Sequence, residues 1–329
     1  MTQINLNSQN NNQNIVRPTL ASFFHGVGGM SKGAFKAGFE TLYASDMWDA
    51  AETAFHKNKC EGLFHNINFF DNNADKILSA IQSQSGRTFE YGDIDAVVSG
   101  SPCQGMSSVN GNRSTFNFKN MLMMKQIRVA GMQGLGVRTA WFEQVPGFLD
   151  RPMRALRNEV LAVLESQTDY YYELKVLNAL DYGAYQSRDR VTIIMVRKDV
   201  GTPSFPEPQL IDLNTRCLKA ILPHVDAFKY GNEATPKAAD SNVISTMTAS
   251  DDGLLVFTEN RWRPVTCDER QILSHLEGYD LSGFSGAEKR TLMGNMVQIP
   301  FAAAIMRHIY EEILLKSPVY NNSKCVYQD

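Results

Sequence analysis

Cys103 is the residue in this chain best placed to act as a nucleophile. It stands in Ser99-Gly100-Ser101-Pro102-Cys103-Gln104-Gly105-Met106-Ser107, a loop of small residues after the apolar run 94–100. In an open α/β sheet, a loop at the carboxyl end of a buried strand is where chemistry is placed. A thiolate there would be a strong nucleophile, although a lone cysteine is often an inert core residue. Glu143, in Trp141-Phe142-Glu143-Gln144-Val145-Pro146-Gly147, interrupts a second apolar run at its end. Such a carboxylate is either half of a structural ion pair or poised as an acid. In Gln186-Ser187-Arg188-Asp189-Arg190, strand alternation puts Gln186, Arg188 and Arg190 on one face. Paired guanidiniums can hold a carboxylate, a phosphate or a base oxygen, and a solvated edge strand looks the same.

A glycine-rich turn, Ser22-Phe23-Phe24-His25-Gly26-Val27-Gly28-Gly29, follows a strand pattern and opens a helix pattern. Glycines let the backbone turn sharply and approach a ligand, and Asp46 at the end of the next strand could bind ribose hydroxyls. The spacing is not the full G-x-G-x-x-G of dinucleotide enzymes, and a tight structural turn accounts for it equally well. Met293-Gly294-Asn295-Met296-Val297, late in the chain, reads as a helix cap and turn.

The elements that must position these residues alternate. Strand patterns cover 19–24, 41–45, 94–100, 139–145, 170–177 and 191–197, and helix patterns cover 31–37, 48–58, 74–84, 117–132 and 151–167. That order predicts a doubly wound, mostly parallel α/β sheet. The expected organisation is a disordered Asn/Gln-rich tail over 1–17, a cofactor-binding and catalytic domain over 18–200, a small irregular region over 201–250, and a return to the first domain over 251–329. The irregular region is marked by Pro203, Pro206, Pro208, Pro223 and Pro236, and helix patterns return at 266–276 and 300–315.

Composition narrows the function classes. The 329 residues are 43% hydrophobic and carry a formal net charge of -3, so bulk charge does not mark a nucleic-acid binder. A local basic surface could still exist, because 113–157 holds Arg113, Lys119, Lys125, Arg128, Arg138, Arg151, Arg154 and Arg157 against Glu143 and Asp150, although for any single one of them a solvated helix face is the better reading. The five cysteines include no C-x-x-C pair, so neither zinc nor a disulfide framework is expected. With no secretory signal pattern and no apolar stretch long enough to span a membrane, a cytoplasmic location is expected.

Taken in order, these segments resemble the DNA cytosine-5 methyltransferase family from about Leu20 to Leu315, with a gap at the irregular region. The resemblance implies a Rossmann-like S-adenosylmethionine-dependent domain with a small target-recognition domain over 201–250. The partner it implies is double-stranded DNA, and the protein is expected to be monomeric. It implies that Cys103 is the nucleophile, that Glu143 holds the cytosine edge, and that Arg188 and Arg190 support the base and the catalytic loop. Phe24, Gly26, Val27, Gly28 and Gly29 would line the cofactor pocket, with Asp46 on the ribose and Met47 or Trp48 against the adenine. Asn66 stands where the family has an Asp for the adenine amine. Leu122 would pack on that ring, and Asn295 and Val297 would close the pocket. Gln104, Ser107 and Gln186 would meet the DNA. The chain departs from the family pattern at Ser22 (usually Asp), Ser101 (often Pro), Met106 (aromatic), Gln144 (Asn) and Tyr185 (Pro). An RNA cytosine methyltransferase is the nearest alternative, but that branch carries Phe-Thr where Gln104-Gly105 stands. A catalytically dead DNA-binding relative is the other, and the presence of Cys103 and Glu143 argues against it.

Overall fold

The computed structural model describes residues 17–102, 118–210, 212–231, 233–249 and 253–325. Its centre is a seven-stranded sheet. In chain order its strands are β1 (Thr19–Phe23), β2 (Glu40–Asp46), β3 (Leu63–Asn66), β4 (Ala96–Ser99), β5 (Thr139–Gln144) and β6 (Tyr170–Asn178). A two-residue strand, β7 (Gln186–Ser187), precedes the seventh member, β8 (Asp189–Arg197). The order across the sheet is β3-β2-β1-β4-β5-β8-β6. The pairs from β3 to β5 are parallel, while β8 runs antiparallel to both β5 and β6. The expected mostly parallel sheet therefore contains one reversed strand. An apolar run buried on both faces looks the same in either direction, so the sequence carried no sign of the reversal.

Both faces are covered, and the strands show why. Ala21, Phe23, Val97, Ala140, Phe142, Ile193 and Met195 enter one core, and Leu20, Ala96, Val98, Trp141, Ile194 and Val196 enter the other. Period-two alternation of apolar residues on both sides is what a doubly covered sheet requires. Helices α1 (Gly29–Lys36) and α2 (Asp49–Lys57) follow β1 and β2, and α3 (Ala74–Ser85), α4 (Met121–Ala130) and α5 (Arg154–Glu165) cover the first core.

The stretch 201–210 has no helix or strand, but the chain beyond it is more regular than its prolines imply. After two short helical turns, α6 (Leu213–Arg216) and α7 (Leu218–Ile221), come β9 (Ala227–Tyr230), β10 (Lys237–Ala238), β11 (Ile244–Ser245), β12 (Leu254–Thr258) and β13 (Arg261–Pro264). Four of these form a sheet ordered β10-β9-β12-β13 with antiparallel pairings, extending past residue 250 to Pro264. It encloses its own core of Leu218, Leu222, Phe228, Met247, Val256 and Leu273. Strand β11 pairs in parallel with β7, tying the small sheet's chain to the segment that enters β8. The chain returns through α8 (Cys267–Leu273), α9 (Gly286–Asn295), α10 (Ile299–His308) and α11 (Pro318–Cys325), and α10 packs with α1 over the second core.

Candidate active site

A cavity of about 900 Å³ opens above the carboxyl ends of β1, β2, β4 and β5. That volume is within the roughly 300–1,000 Å³ of small-molecule sites, at the sheet edge where α/β folds bind ligands. Phe24 and Gly26 both take positive φ, 52° and 56°. Gly29 opens α1 where a Cβ would lie 2.1 Å from the Val297 carbonyl oxygen. A glycine is therefore obligatory at that close approach. It brings the late Gly294-Asn295-Met296-Val297 segment over the first turn, and Asn295 and Val297 line the cavity.

Asp46 ends β2. Its carboxylate accepts from the Gly26 N–H at 2.9 Å, the Met47 N–H at 2.8 Å and the Trp48 N–H at 3.1 Å. Burial pushes its carboxyl above the usual carboxylate range, and those backbone bonds pull against the rise. A carboxylate has about four acceptor positions, so it retains capacity for an incoming hydroxyl. Met47, Trp48, Ile67, Phe69 and Leu122 supply apolar wall. His25 is 7% exposed, with Nδ1 3.2 Å from Ser31 Oγ. Burial lowers it to about 4, which keeps the imidazole neutral near pH 7.

Across the cavity, Glu143 at the end of β5 pairs with Arg190 at 2.5 Å, both side chains largely buried. Gly100 leaves Glu143 its space, since a Cβ there would lie 3.3 Å from Oε2. Pro102, the last described residue before Cys103, lines the same cavity. Arg188 sits between β7 and β8 and donates to the carbonyls of Met247 at 2.9 Å, Gly294 at 2.8 Å and Met296 at 3.2 Å. These bonds join the small sheet's chain to the segment around Asn295, and Met247, Thr248 and Ala249 also line the cavity. Among the described residues no cluster of acids, His and Cys could hold a metal.

The model of the C-5 cytosine-specific DNA methylase family matches residues 19–238, most of the chain. This chain belongs to that family. It is 33% identical over 198 residues to the type II methyltransferase M.XorII of Xanthomonas oryzae, covering 59% of this chain and 44% of that protein. It is 28% identical over 239 residues to mouse DNA (cytosine-5)-methyltransferase 1, covering 69% of this chain and 14% of that protein. The chain thus spans less than half the length of either relative. Among solved structures it resembles the Entamoeba histolytica methyltransferase EhMeth, with a TM-score of 0.64 at 14% identity over 90% of this chain and 99% of that one. It also resembles a mutant of Spodoptera frugiperda DNMT2, with a TM-score of 0.61 at 15% identity over 89% and 100% of the two chains. Those likenesses establish the shared fold.

Of the residues that the methylase resemblance singled out, Phe24, Gly26, Gly29, Asp46, Met47, Leu122, Glu143, Arg188, Arg190, Asn295 and Val297 meet around this cavity. Cys103, Gln104 and Ser107 lie outside the described residues. Four expectations are corrected. The Asn66 side chain faces away and donates to Asp49 at 2.9 Å and Glu52 at 2.8 Å, because the first acids of α2 lie beside the end of β3. Val27 is buried between Leu276, Leu292 and Ile299 instead of facing the cavity. Gly28 caps α1 at φ 87°, with the His25 ring filling the space beside it. Gln186 is fully buried, its amide donating to the Leu273 carbonyl and accepting from the Met247 N–H, both at 3.1 Å, so it binds protein backbone rather than DNA. Gln186, Arg188 and Arg190 keep the expected alternation, all three buried while Ser187 is half-buried and Asp189 exposed, although the chain passes from one sheet to another at Arg188. Sequence reasoning missed Ile67 and Asn68, which line the cavity just past β3. Their place beyond a strand's carboxyl end was the available signal.

Proposed function

We propose that this protein transfers a methyl group from S-adenosylmethionine to carbon 5 of cytosine in double-stranded DNA. The observation that carries this reading is the meeting of Asp46 and the Gly26 turn with the Glu143–Arg190 pair and Pro102 around one cavity. The residues fit the cofactor: Asp46 has acceptor capacity for ribose, Met47, Trp48 and Leu122 offer apolar surface to a flat ring, and Gly26, with nothing within 4 Å of where a Cβ would stand, leaves backbone open to close approach. When bound, S-adenosylmethionine supplies an electrophilic methyl group on a positively charged sulfur.

The protein's own residues make the cytosine reactive. Aromatic cytosine is a poor nucleophile at carbon 5. The Cys103 thiolate adds at carbon 6, and the electron pair of the carbon 5–carbon 6 double bond then becomes available at carbon 5. After methylation, loss of the carbon 5 proton to a base lets the thiolate leave and the ring regain aromaticity. Glu143, held by Arg190, meets the ring edge at nitrogen 3, where addition gathers electron density. The base must leave the duplex, at a cost of a few kcal/mol, and basic side chains of 113–157 offset part of this by holding phosphates; Arg138 is not one of them, because it is buried and paired with Asp95 at 2.8 Å. Sequence choice belongs to the small sheet and the stretch before it, which project side chains from outside the main sheet. The protein works as a monomer in the cytoplasm; among the described residues no helix is long and apolar enough to cross a membrane.

Incubation with methyl-labelled S-adenosylmethionine and either duplex DNA or tRNA tests the reading. Label should enter DNA alone, and Cys103→Ser should abolish incorporation while cofactor binding persists. Label in tRNA, or near wild-type turnover by Cys103→Ser, would overturn it.

A further inference from the structure

Strands β4 and β5 separate at the cavity. Their parallel pairing stops at Ser99 and Phe142, so Gly100 and Ser101 are not paired with Glu143 and Gln144. One side chain spans the gap. The Gln144 Nε2 donates to the Ser101 carbonyl at 3.2 Å and lies 3.4 Å from Ser101 Oγ, while its Oε1 accepts from the Val145 N–H at 2.9 Å. The amide thus joins a backbone acceptor on the β4 side to a backbone donor on the β5 side, at a level where the ladder between the strands has already ended. Gln144 is 1% exposed and Ser101 4% exposed, so water does not compete for these groups.

The side chain's length matters. An Asn here would be one methylene shorter and would fall short of the Ser101 carbonyl. A Glu would have the reach but would set an acceptor against that carbonyl. Positions 101 and 144 are also two of the places where this chain departs from the pattern its sequence resembles, and they touch each other. We infer that Gln144 and Ser101 form a matched positioning pair that fixes the start of the Cys103 loop relative to Glu143 during methyl transfer. The inference rests on the proposed methyl transfer to DNA. The pair acts through geometry: a misplacement of about 1 Å at a reacting centre can cost about 100-fold in rate.

The test uses the full-length protein and single-turnover methyl transfer at saturating S-adenosylmethionine and duplex DNA. Gln144→Asn and Gln144→Glu should each lower the rate by about tenfold or more, with the KM for DNA and the cofactor dissociation constant within about twofold of wild type. Ser101→Ala removes only the 3.4 Å contact to Oγ and keeps the carbonyl bond, so it should lower the rate less than the Gln144 variants do, and less again in the Gln144→Asn background. Rates within twofold of wild type in both Gln144 variants would overturn the pairing. So would a rate loss matched by an equal loss of cofactor affinity, which marks general damage to the pocket. If Gln144→Glu does not fold, Gln144→Asn and the Ser101 cycle still decide. A wild-type protein that labels no DNA would overturn the proposed activity and the pair's role with it, whereas an active wild type with indifferent Gln144 variants would overturn the pairing alone.

Discussion

At the residue scale, Glu143 and Gln144 are neighbours on β5 with different tasks. Alternation along the strand points them apart, one to Arg190 and the other to Ser101. Gly100 is what lets Glu143 sit where it does. A Cβ there would meet Glu143 Oε2 at 3.3 Å and Met30 Sδ at 3.8 Å, so the carboxylate would have to move by a few tenths of an ångström. Gly100→Ala should therefore lower the methyl-transfer rate by about tenfold while the melting temperature hardly changes. An unaltered rate would show that the carboxylate does not need that position. The sequence marked Glu143 and Gly100 as members of motifs. It did not give the contact between them, because the residues lie on strands joined through a long connection.

At the element scale, the mouth of the cavity depends on α1 lying close to α10. A Cβ on Gly33 would fall 2.4 Å from the Ala302 Cβ and 2.7 Å from the Ala303 nitrogen. Gly33→Ala should force the helices apart and cost about 1–3 kcal/mol in urea unfolding, with cofactor affinity falling as the Val297 segment shifts. Stability equal to wild type would mean that the two helices can slide without loss. Some elements were hard to read for physical reasons. Helix α9 has no apolar stripe, since its buried residues are only Leu292, Met293 and Gly294. Its legible sign was the capping box of Ser285 and Glu288, a Ser-x-x-Glu spacing repeated as Thr266 and Glu269 at α8. At α8 burial pushes Glu269 up, but Arg263, the Thr266 N–H and His224 outweigh it and leave the carboxyl at about 2. Strand β3 buries only Phe64, too little periodicity to mark it as a strand.

At the scale of the whole molecule, acid should loosen the fold through its buried imidazoles. His25 is lowered from its ordinary 6.5 to about 4 by burial alone, and His275 to about 3 by burial with Arg216 and Lys36 nearby. The unfolded chain takes up these protons first. The stability is therefore complete above about pH 6.5 and is lost as pH falls toward 4, by on the order of 3 kcal/mol for His25. Urea midpoints measured from pH 7 to pH 4.5 should fall, and His25→Gln should flatten the decline; equal slopes in the two proteins would dismiss the role of His25. The small sheet carries a second expectation at this scale. Replacing its chain, 201–264, with that of a relative of different target should move methylation to the relative's site, and an active chimera that kept the original site would place recognition in the main domain. The sequence by itself determined the alternation of strands and helices, the double-faced core and the ordered motifs, because period and spacing are local and the chemistry resides in residue types. The tertiary structure alone decided the reversed β8, the small sheet running to Pro264, and the inward turn of Gln186 and Asn66. Each of these depends on which distant backbone group lies within hydrogen-bonding reach, and no local pattern encodes that.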